Sequence, residues 1–435
     1  MARMRQLARL IRELEDQLIV CMRCGMCQAV CPLYGETGRE ADVARGKLAL
    51  LDGLSREMFK DPKGVSERLN RCLLCGSCAA NCPSGVRVLD IFLKARAILA
   101  GYMGLSPVKK VILRGMLARP AFFDSLMEWG ARFQTVFTKP VDDVLGTSCA
   151  RFLSPVLADR RIKPLAAVPF HAKVPERDVP PGRSSLRVAF FVGCLIDKIF
   201  PEVAETVLRV LDHHGVGVFL PRNQTCCGIP AASSGDAATF RKLVVHNLER
   251  FDAGRFDYLV TACATCTFTI RKIWPLLLED ADPETKARAA AVSSKTLDIH
   301  QFLAAHIQDV PPAAEPLEEA APVVTYHDPC HLRKSLGVFV EPRRLIRANP
   351  NYRFREMPEA DRCCGLGGSF GLEHYDLSSS IGKRKRNSII ETGCAVVATG
   401  CPACMIQLHD VLSRSGDRIA IRHAIQIYGE LLDSS

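Results

Sequence analysis

The chain carries one cysteine device twice. "CMRCGMCQAVCP" covers Cys21 to Pro32, and "CLLCGSCAANCP" covers Cys72 to Pro83. In each copy three cysteines recur at every third position, and a fourth stands directly before a proline. Such spacing turns several thiols toward one point, so the first hundred residues must fold around something that thiols bind. Twelve further cysteines bring the total to 20 in 435 residues, a density found either in disulfide-rich secreted chains or where reduced cysteines hold metal. The opening "MARMRQLARLIRELEDQLIV" favours the second, because Leu7, Leu10, Ile11, Leu14 and Leu18 fall at helical spacing among charges and form no continuous apolar leader. No window carries the uncharged apolar run of a membrane span. The expectation is therefore a cytoplasmic protein without a transmembrane segment, with peripheral attachment to the inner face of the cell membrane left open.

The formal charge of +10 is diffuse apart from "GKRKRN" at Gly382 to Asn387. Few aromatics accompany it and no nucleic-acid signature is present, so nucleic acid is not expected as a partner. Lys383 to Arg386 read as a solvated helix face.

The second half is an internal repeat. One copy runs "VAFFVGC" to Cys194, "TCCGIP" with Cys226 and Cys227, and "YLVTACATC" with Cys263 and Cys266. The other runs "VVTYHDPC" to Cys330, "RCCGLGG" with Cys363 and Cys364, and "AVVATGCPAC" with Cys401 and Cys404. Lone cysteine to pair is 32 residues in one copy and 33 in the other, and pair to CxxC is 37 and 38. Chance does not hold two five-cysteine patterns in such step. β-branched runs alternate with helix-like stretches, as in a small parallel α/β unit, and the cysteines fall at strand ends, where α/β folds place ligands. The fold class expected is thus α/β with an N-terminal helical domain. Its divisions are 1–103 (two-cluster helical domain), 104–185 (proline-rich connector), 186–310 and 322–435 (the two cysteine-rich repeats, packed face to face with converging cysteine loops).

Both early runs match, position for position, the C-x2-C-x2-C-x3-C-P run of bacterial ferredoxins. Three thiolates on one tight loop bind three irons of a cubane, and the fourth cysteine is aimed at the other cluster. One 4Fe-4S cubane is therefore assigned to Cys21, Cys24, Cys27 and Cys82, the other to Cys72, Cys75, Cys78 and Cys31. Structural zinc, which also favours CxxC pairs, is the alternative. The roughly forty residues between the runs make the domain similar to the helical ferredoxin type of respiratory iron-sulfur subunits.

The pattern of lone cysteine, Cys-Cys-Gly and CxxC resembles the cysteine-rich CCG domain of heterodisulfide reductases. That resemblance implies up to two non-cubane 4Fe-4S sites, one on Cys194, Cys226, Cys227, Cys263 and Cys266, the other on Cys330, Cys363, Cys364, Cys401 and Cys404. Buried thiol pairs or zinc are the plainer readings. Taken whole, and through "RCLLCGSCAANCPSGV" and "LARPAFFDSL" in particular, the chain is similar to the iron-sulfur subunits of glycolate oxidase. The same architecture occurs in FAD-dependent lactate dehydrogenase complexes, in anaerobic glycerol-3-phosphate dehydrogenase and in one of the heterodisulfide reductase chains. What the resemblance implies is an electron-transfer subunit without catalytic residues for the hydroxy acid. FAD would sit on a partner dehydrogenase subunit, and a quinone or other carrier would take the electrons. The complete quintets keep thiol-disulfide reduction open as the rival activity.

Three smaller features take plain readings. "GLGGSFG" at Gly365 to Gly371 is expected to wrap a cluster and not to bind a nucleotide. His300 and His423 are expected to be satisfied core or helix-end histidines, and Cys149 an ordinary buried thiol.

Overall fold

The computed structural model describes residues 2–151, 159–318 and 320–433. The chain divides into two compact units, and the division does not follow the chain order. The first unit holds Met1–Ala118 together with Gly228–Lys242 and Gly365–Ile381; the second holds Arg119–Cys227, Leu243–Cys364 and Gly382–Ser435.

The first unit is helical. Its core forms where helices Ala2–Arg12, Ala44–Ser55 and Val88–Met103 pack, burying Leu7, Ile11, Leu48, Leu51, Ile91, Phe92, Ala95 and Leu99. The helical spacing of Leu7, Ile11, Leu14 and Leu18 thus supplies a buried stripe, as amphipathic periodicity requires. Helix Pro62–Asn70 starts where the Asp61 carboxylate accepts the N–H groups of Lys63 and Gly64. The two cysteine loops share one backbone device: Arg23 and Gly25 in the first, Leu74 and Gly76 in the second, all have positive φ. Those left-handed residues curl each loop before a short helix begins, at Met26–Val30 and at Ser77–Ala80. Pro32 ends nothing by itself; it opens the next helix, Pro32–Thr37, from the first-turn position that suits a residue without an N–H. The two segments from the distant part of the chain are fastened here by long-range bonds. Arg114 pairs with Asp236 at 2.9 Å, Lys109 with Glu373 at 2.8 Å, and the Ser380 hydroxyl donates to Glu36 at 2.5 Å.

The second unit contains the repeat and more of the connector than its prolines suggested. Helix Pro120–Phe137 runs into a hairpin of β1 (Thr138–Asp142) and β2 (Thr147–Ala150). Next come β3 (Arg177–Val179), β4 (Arg187–Phe190), β5 (Gly217–Leu220), β6 (Tyr258–Thr261) and β7 (Thr296–Asp298). They form one sheet in the order β3-β5-β4-β6-β7, parallel except for the antiparallel edge strand β3. The end of the connector is therefore built into the first repeat, and the prolines that follow Val179 are tolerated because β3 is an edge. The second copy supplies β8 (Val323–His327), β9 (Arg353–Phe354), β10 (Val396–Thr399) and β11 (Ala420–His423), all parallel, in the order β11-β10-β8-β9. Both repeats are the parallel α/β units that their alternation of strand and helix predicts.

The copies meet through helices Pro201–His213 and Ala424–Asp433. Gly429 makes the approach possible, since a Cβ there would lie 2.5 Å from Thr206. His214 Nε2 and the Tyr428 hydroxyl lock the contact at 2.9 Å.

Candidate metal centres

In the first unit the thiols of Cys31, Cys72, Cys75 and Cys78 share one neighbourhood. Burial pushes the Cys31 thiol up to about 12, with the negative forms of Cys75 and Cys72 adding to it. Burial likewise raises Cys78, helped by Cys72, Cys75 and Cys31. Cys27 is raised by burial and by Cys21, while Cys24 is exposed and Cys82 half-buried. Buried thiols that repel one another when ionised can be ionised together only around cations, which is the demand an iron cluster meets. The donor set fits.

Two buried cations bias the Cys72 loop. Lys47 is 1% exposed, donates to the Asp42 carbonyl, and its charge is lowered by burial but supported by Cys72 and Cys31. Arg96 donates to the carbonyls of Cys72 (2.8 Å), Leu69 (2.6 Å) and Ser233 (2.7 Å). Gly367 completes the wall: a Cβ there would come 3.1 Å from the Cα of Leu73. The glycine-rich "GLGG" stretch thus packs on a cysteine loop. Replacing Lys47 by Met should lower the reduction potential of the cluster held by Cys72, Cys75 and Cys78 by tens of millivolts or so, because a nearby positive charge favours the reduced state. Potentiometric titration followed by paramagnetic resonance reads this; an unchanged potential, with Lys47→Arg as control, would refute it.

In the second unit eight of the ten quintet cysteines form a continuous run of neighbouring thiols. Cys194 adjoins Cys226, which adjoins Cys227; Cys227 adjoins Cys266, and Cys266 adjoins Cys263. Cys263 then meets Cys401 of the other copy, Cys401 meets Cys404, and Cys404 meets Cys364. Hydrogen bonds among these thiols raise Cys226, Cys266 and Cys404 well above the ordinary range, foremost through Cys194, Cys227 and Cys364 respectively. Cys401 moves the other way, because Cys263 and Cys404 direct their bonds to its sulfur. Cys363 is buried, and Cys330, half-buried, opens the helical turn His331–Ser335.

Local sequence explains each placement. The CxxC motifs follow β6 and β10, and Cys263 caps helix Ala264–Phe268 by accepting the Cys266 N–H at 3.5 Å. The copies are stitched here by the Ala264 N–H on the Gly400 carbonyl (3.1 Å) and by Phe268 stacked on His331 (4.5 Å). The glycine after each pair has a positive φ, +96° at Gly228 and +100° at Gly365, and a Cβ on Gly365 would strike the Ser378 carbonyl at 2.6 Å. The first pair is held by Trp274, whose indole N–H reaches the Cys227 carbonyl at 2.9 Å, and by Asn247 on the Cys226 carbonyl at 3.1 Å.

Two expectations change. Lys385 is not on a solvated face: it is fully buried, donates to Glu359 and Ala360, and burial draws it down to about 8 while Cys364 supports its charge. Arg386 pairs with Asp417, so of that basic run Lys383 and Arg384 alone are exposed. His300 and His423 are core residues stacked at 5.4 Å, yet they are only partly satisfied. His300 Nδ1 bonds Asp298 at 2.6 Å and the Ala262 and Gly400 backbones bear on the His423 ring, whereas Nε2 of His300 lacks a partner among the described residues. Cys149 is buried in β2, as expected, and Cys394, which belongs to no motif, is buried before β10. His327 escaped the motif reading altogether. It sits at the end of β8, fully buried, with a ring nitrogen and the sulfurs of Cys364 and Cys404 all within 4.8 Å of one another. Its one sequence sign was that it stands three residues before Cys330, where the first copy has Phe191.

A helical two-loop cysteine unit joined to a doubled α/β unit lined with ten cysteines defines an iron-sulfur protein. Residues 17–86 match the 4Fe-4S dicluster domain, and residues 188–271 and 324–409 match the cysteine-rich CCG domain. The chain belongs to the family of iron-sulfur proteins that combine a 4Fe-4S dicluster domain with paired CCG domains. It is 30% identical to a probable glycolate oxidase iron-sulfur subunit of Bacillus subtilis, over 97% of this chain and 95% of that one. It is 26% identical to one of the subunits of a dihydromethanophenazine:CoB–CoM heterodisulfide reductase of Methanosarcina barkeri, over 96% and 95%. A lactate utilization protein A of Exiguobacterium is 31% identical over 56% of this chain and 97% of that protein. Among the described residues no helix is long and apolar enough to cross a membrane.

Proposed function

We propose that the chain is the electron-transfer subunit of an FAD-linked 2-hydroxy-acid dehydrogenase, of glycolate or lactate type, and passes electrons from a flavin subunit toward a quinone or other carrier. The observation that carries this reading is the full-length similarity to a glycolate oxidase iron-sulfur subunit, which spans the dicluster loops and both CCG quintets. Oxidation of a 2-hydroxy acid releases a hydride, a two-electron step that FAD accepts, and iron-sulfur clusters, when bound, carry those electrons one at a time. The protein's share is to hold donors and shape their surroundings. Cys31 joins the thiols of Cys72, Cys75 and Cys78, which supports the crossed ligand sets, with Cys21, Cys24, Cys27 and Cys82 for the other cubane. Lys47 and Arg96 place positive charge beside the Cys72 loop, where an added electron is then best stabilised. The segments that begin directly after Cys227 and Cys364 pack on this same loop, through Ser233 with Arg96 and through Gly367 with Leu73. The Cys72 loop is accordingly the place in the helical unit where the chain leaving each cysteine pair is held.

Iron and acid-labile sulfide in the anaerobically purified chain should reach at least eight of each per molecule. Four or fewer irons with stoichiometric zinc would overturn the assignment. Addition of a flavin subunit should then couple glycolate or lactate oxidation to cluster reduction, whereas oxidation of either acid by the isolated chain with an artificial acceptor would refute it. The complete quintets favour one second reading, a thiol-disulfide reductase, and a paramagnetic signal that arises only when a disulfide is added to the oxidised protein would decide for it.

A further inference from the structure

The two cysteine-rich sites are unequal. In the first, the position three residues before the lone cysteine is Phe191, fully buried against Phe251 (5.6 Å between rings) and Trp274 (6.4 Å). Its ring and the Cys266 sulfur flank Gly193: a Cβ built there would meet the sulfur at 3.1 Å and a Phe191 ring carbon at 3.8 Å. The second copy keeps the register: His327 pairs with Thr399, two residues before Cys401, as Phe191 follows the Phe190–Val260 pair before Cys263. An imidazole therefore occupies, in the second copy, the strand-end position that a hydrocarbon ring occupies in the first.

We propose that His327 is an iron ligand of the second cysteine-rich site, joining Cys364 and Cys404, so that this site carries an imidazole donor where the first is built on thiolates alone. The proposal rests on the reading that the CCG quintets hold iron. Two observations carry it. The ring nitrogen and both sulfurs lie within 4.8 Å of one another, the span of donors around one small metal centre. Neither nitrogen of this fully buried ring makes a well-aligned hydrogen bond among the described residues, although the Ala360 carbonyl bears on it, and a buried polar group so poorly served needs an explanation. The Ala360 carbonyl, which bears on the ring, already accepts from the Asp328 N–H at 3.0 Å and from Lys385 Nζ at 3.2 Å. A metal ion is the partner that would use the imidazole lone pair, and iron accepts mixed thiolate and imidazole sets.

The test is hyperfine spectroscopy on the full chain, purified anaerobically from cells grown with 15N-histidine or 14N-histidine, with iron counted in the same sample. The expected result is more than eight irons and a strong nitrogen coupling that changes with the histidine label. That coupling should vanish in His327→Phe, which copies the first site, and in His327→Cys, which keeps a ligand and the iron count. More than eight irons without a histidine coupling in the unmutated protein, or a coupling that survives in either variant, overturns the His327 assignment alone. A chain holding eight irons or fewer overturns the reading of the quintets along with it. Should both variants fail to fold, His327→Gln serves in their place, and a histidine coupling that persists in it overturns the assignment.

Discussion

Cys82→Ala is expected to remove or convert the cluster of the first motif, Cys21, Cys24 and Cys27, while the cluster on Cys72, Cys75, Cys78 and Cys31 keeps its full set. Cys31→Ala should do the reverse. The thiol of Cys31 sits among those of Cys72 and Cys75, some forty residues away in sequence, and helices Met26–Val30 and Ser77–Ala80 pack against each other. With crossed ligand sets each loop would be tied to its counterpart through metal, and cluster binding would become folding free energy for the whole helical unit. Iron content should fall by up to one cluster in each variant, the resonance spectrum should lose the signal of the opposite motif, and thermal unfolding of the helical unit should come earlier. If Cys82→Ala instead damages the cluster on Cys72, Cys75 and Cys78, the ligands are local and the crossed assignment is wrong.

Arg96→Leu should destabilise the protein by about 3–5 kcal/mol and strip iron from the Cys72 loop, an effect on the scale of losing a buried hydrogen-bond network. The guanidinium is buried and donates to three carbonyls, those of Leu69, Cys72 and Ser233. Leucine fills most of the volume but leaves those carbonyls without a charged donor. The third of them lies in the segment Gly228–Lys242, which belongs to the helical unit although the chain reaches it more than a hundred residues later. Denaturant titration and iron analysis of the loaded protein check this, with Arg96→Lys expected to lose less because one donor group remains. A variant as stable and as iron-rich as the parent would show that Arg96 is not a fastening point.

Much of this was legible because it is written in spacing. The runs at Cys21 and Cys72 announce cubane clusters by residue count alone, and the two quintets announce grouped thiols, since a tight loop or a strand end fixes where neighbouring thiols point. The amphipathic stripe at Leu7 and Ile11 was likewise readable as a buried helix face. The connector was not. Its prolines suggested a linker, yet Arg177–Val179 adds an edge strand to the first sheet and the Arg161 N–H is held by Asp410 of the second copy at 2.7 Å. Edge pairing depends on what lies alongside, and composition does not report that. Lys385 failed for the same reason: its run looked like a charged surface, but the loop around Glu359 and Ala360 folds over it and supplies its acceptors.

The sequence by itself determined the kind of protein this is, because cluster-binding loops and repeated cysteine intervals are local patterns that hold whatever the remaining chain does. Tertiary structure alone decided how those parts are joined. It brought Cys263 to Cys401, so that the thiols of the two repeats form one run. It placed the stretches after Cys227 and Cys364 in the helical unit, at Arg96 and Leu73. It set His327, which no motif marks, beside Cys364 and Cys404. Each of these is a meeting of residues far apart in the chain, fixed by how sheets and helices pack, and packing leaves no interval in the sequence to be counted.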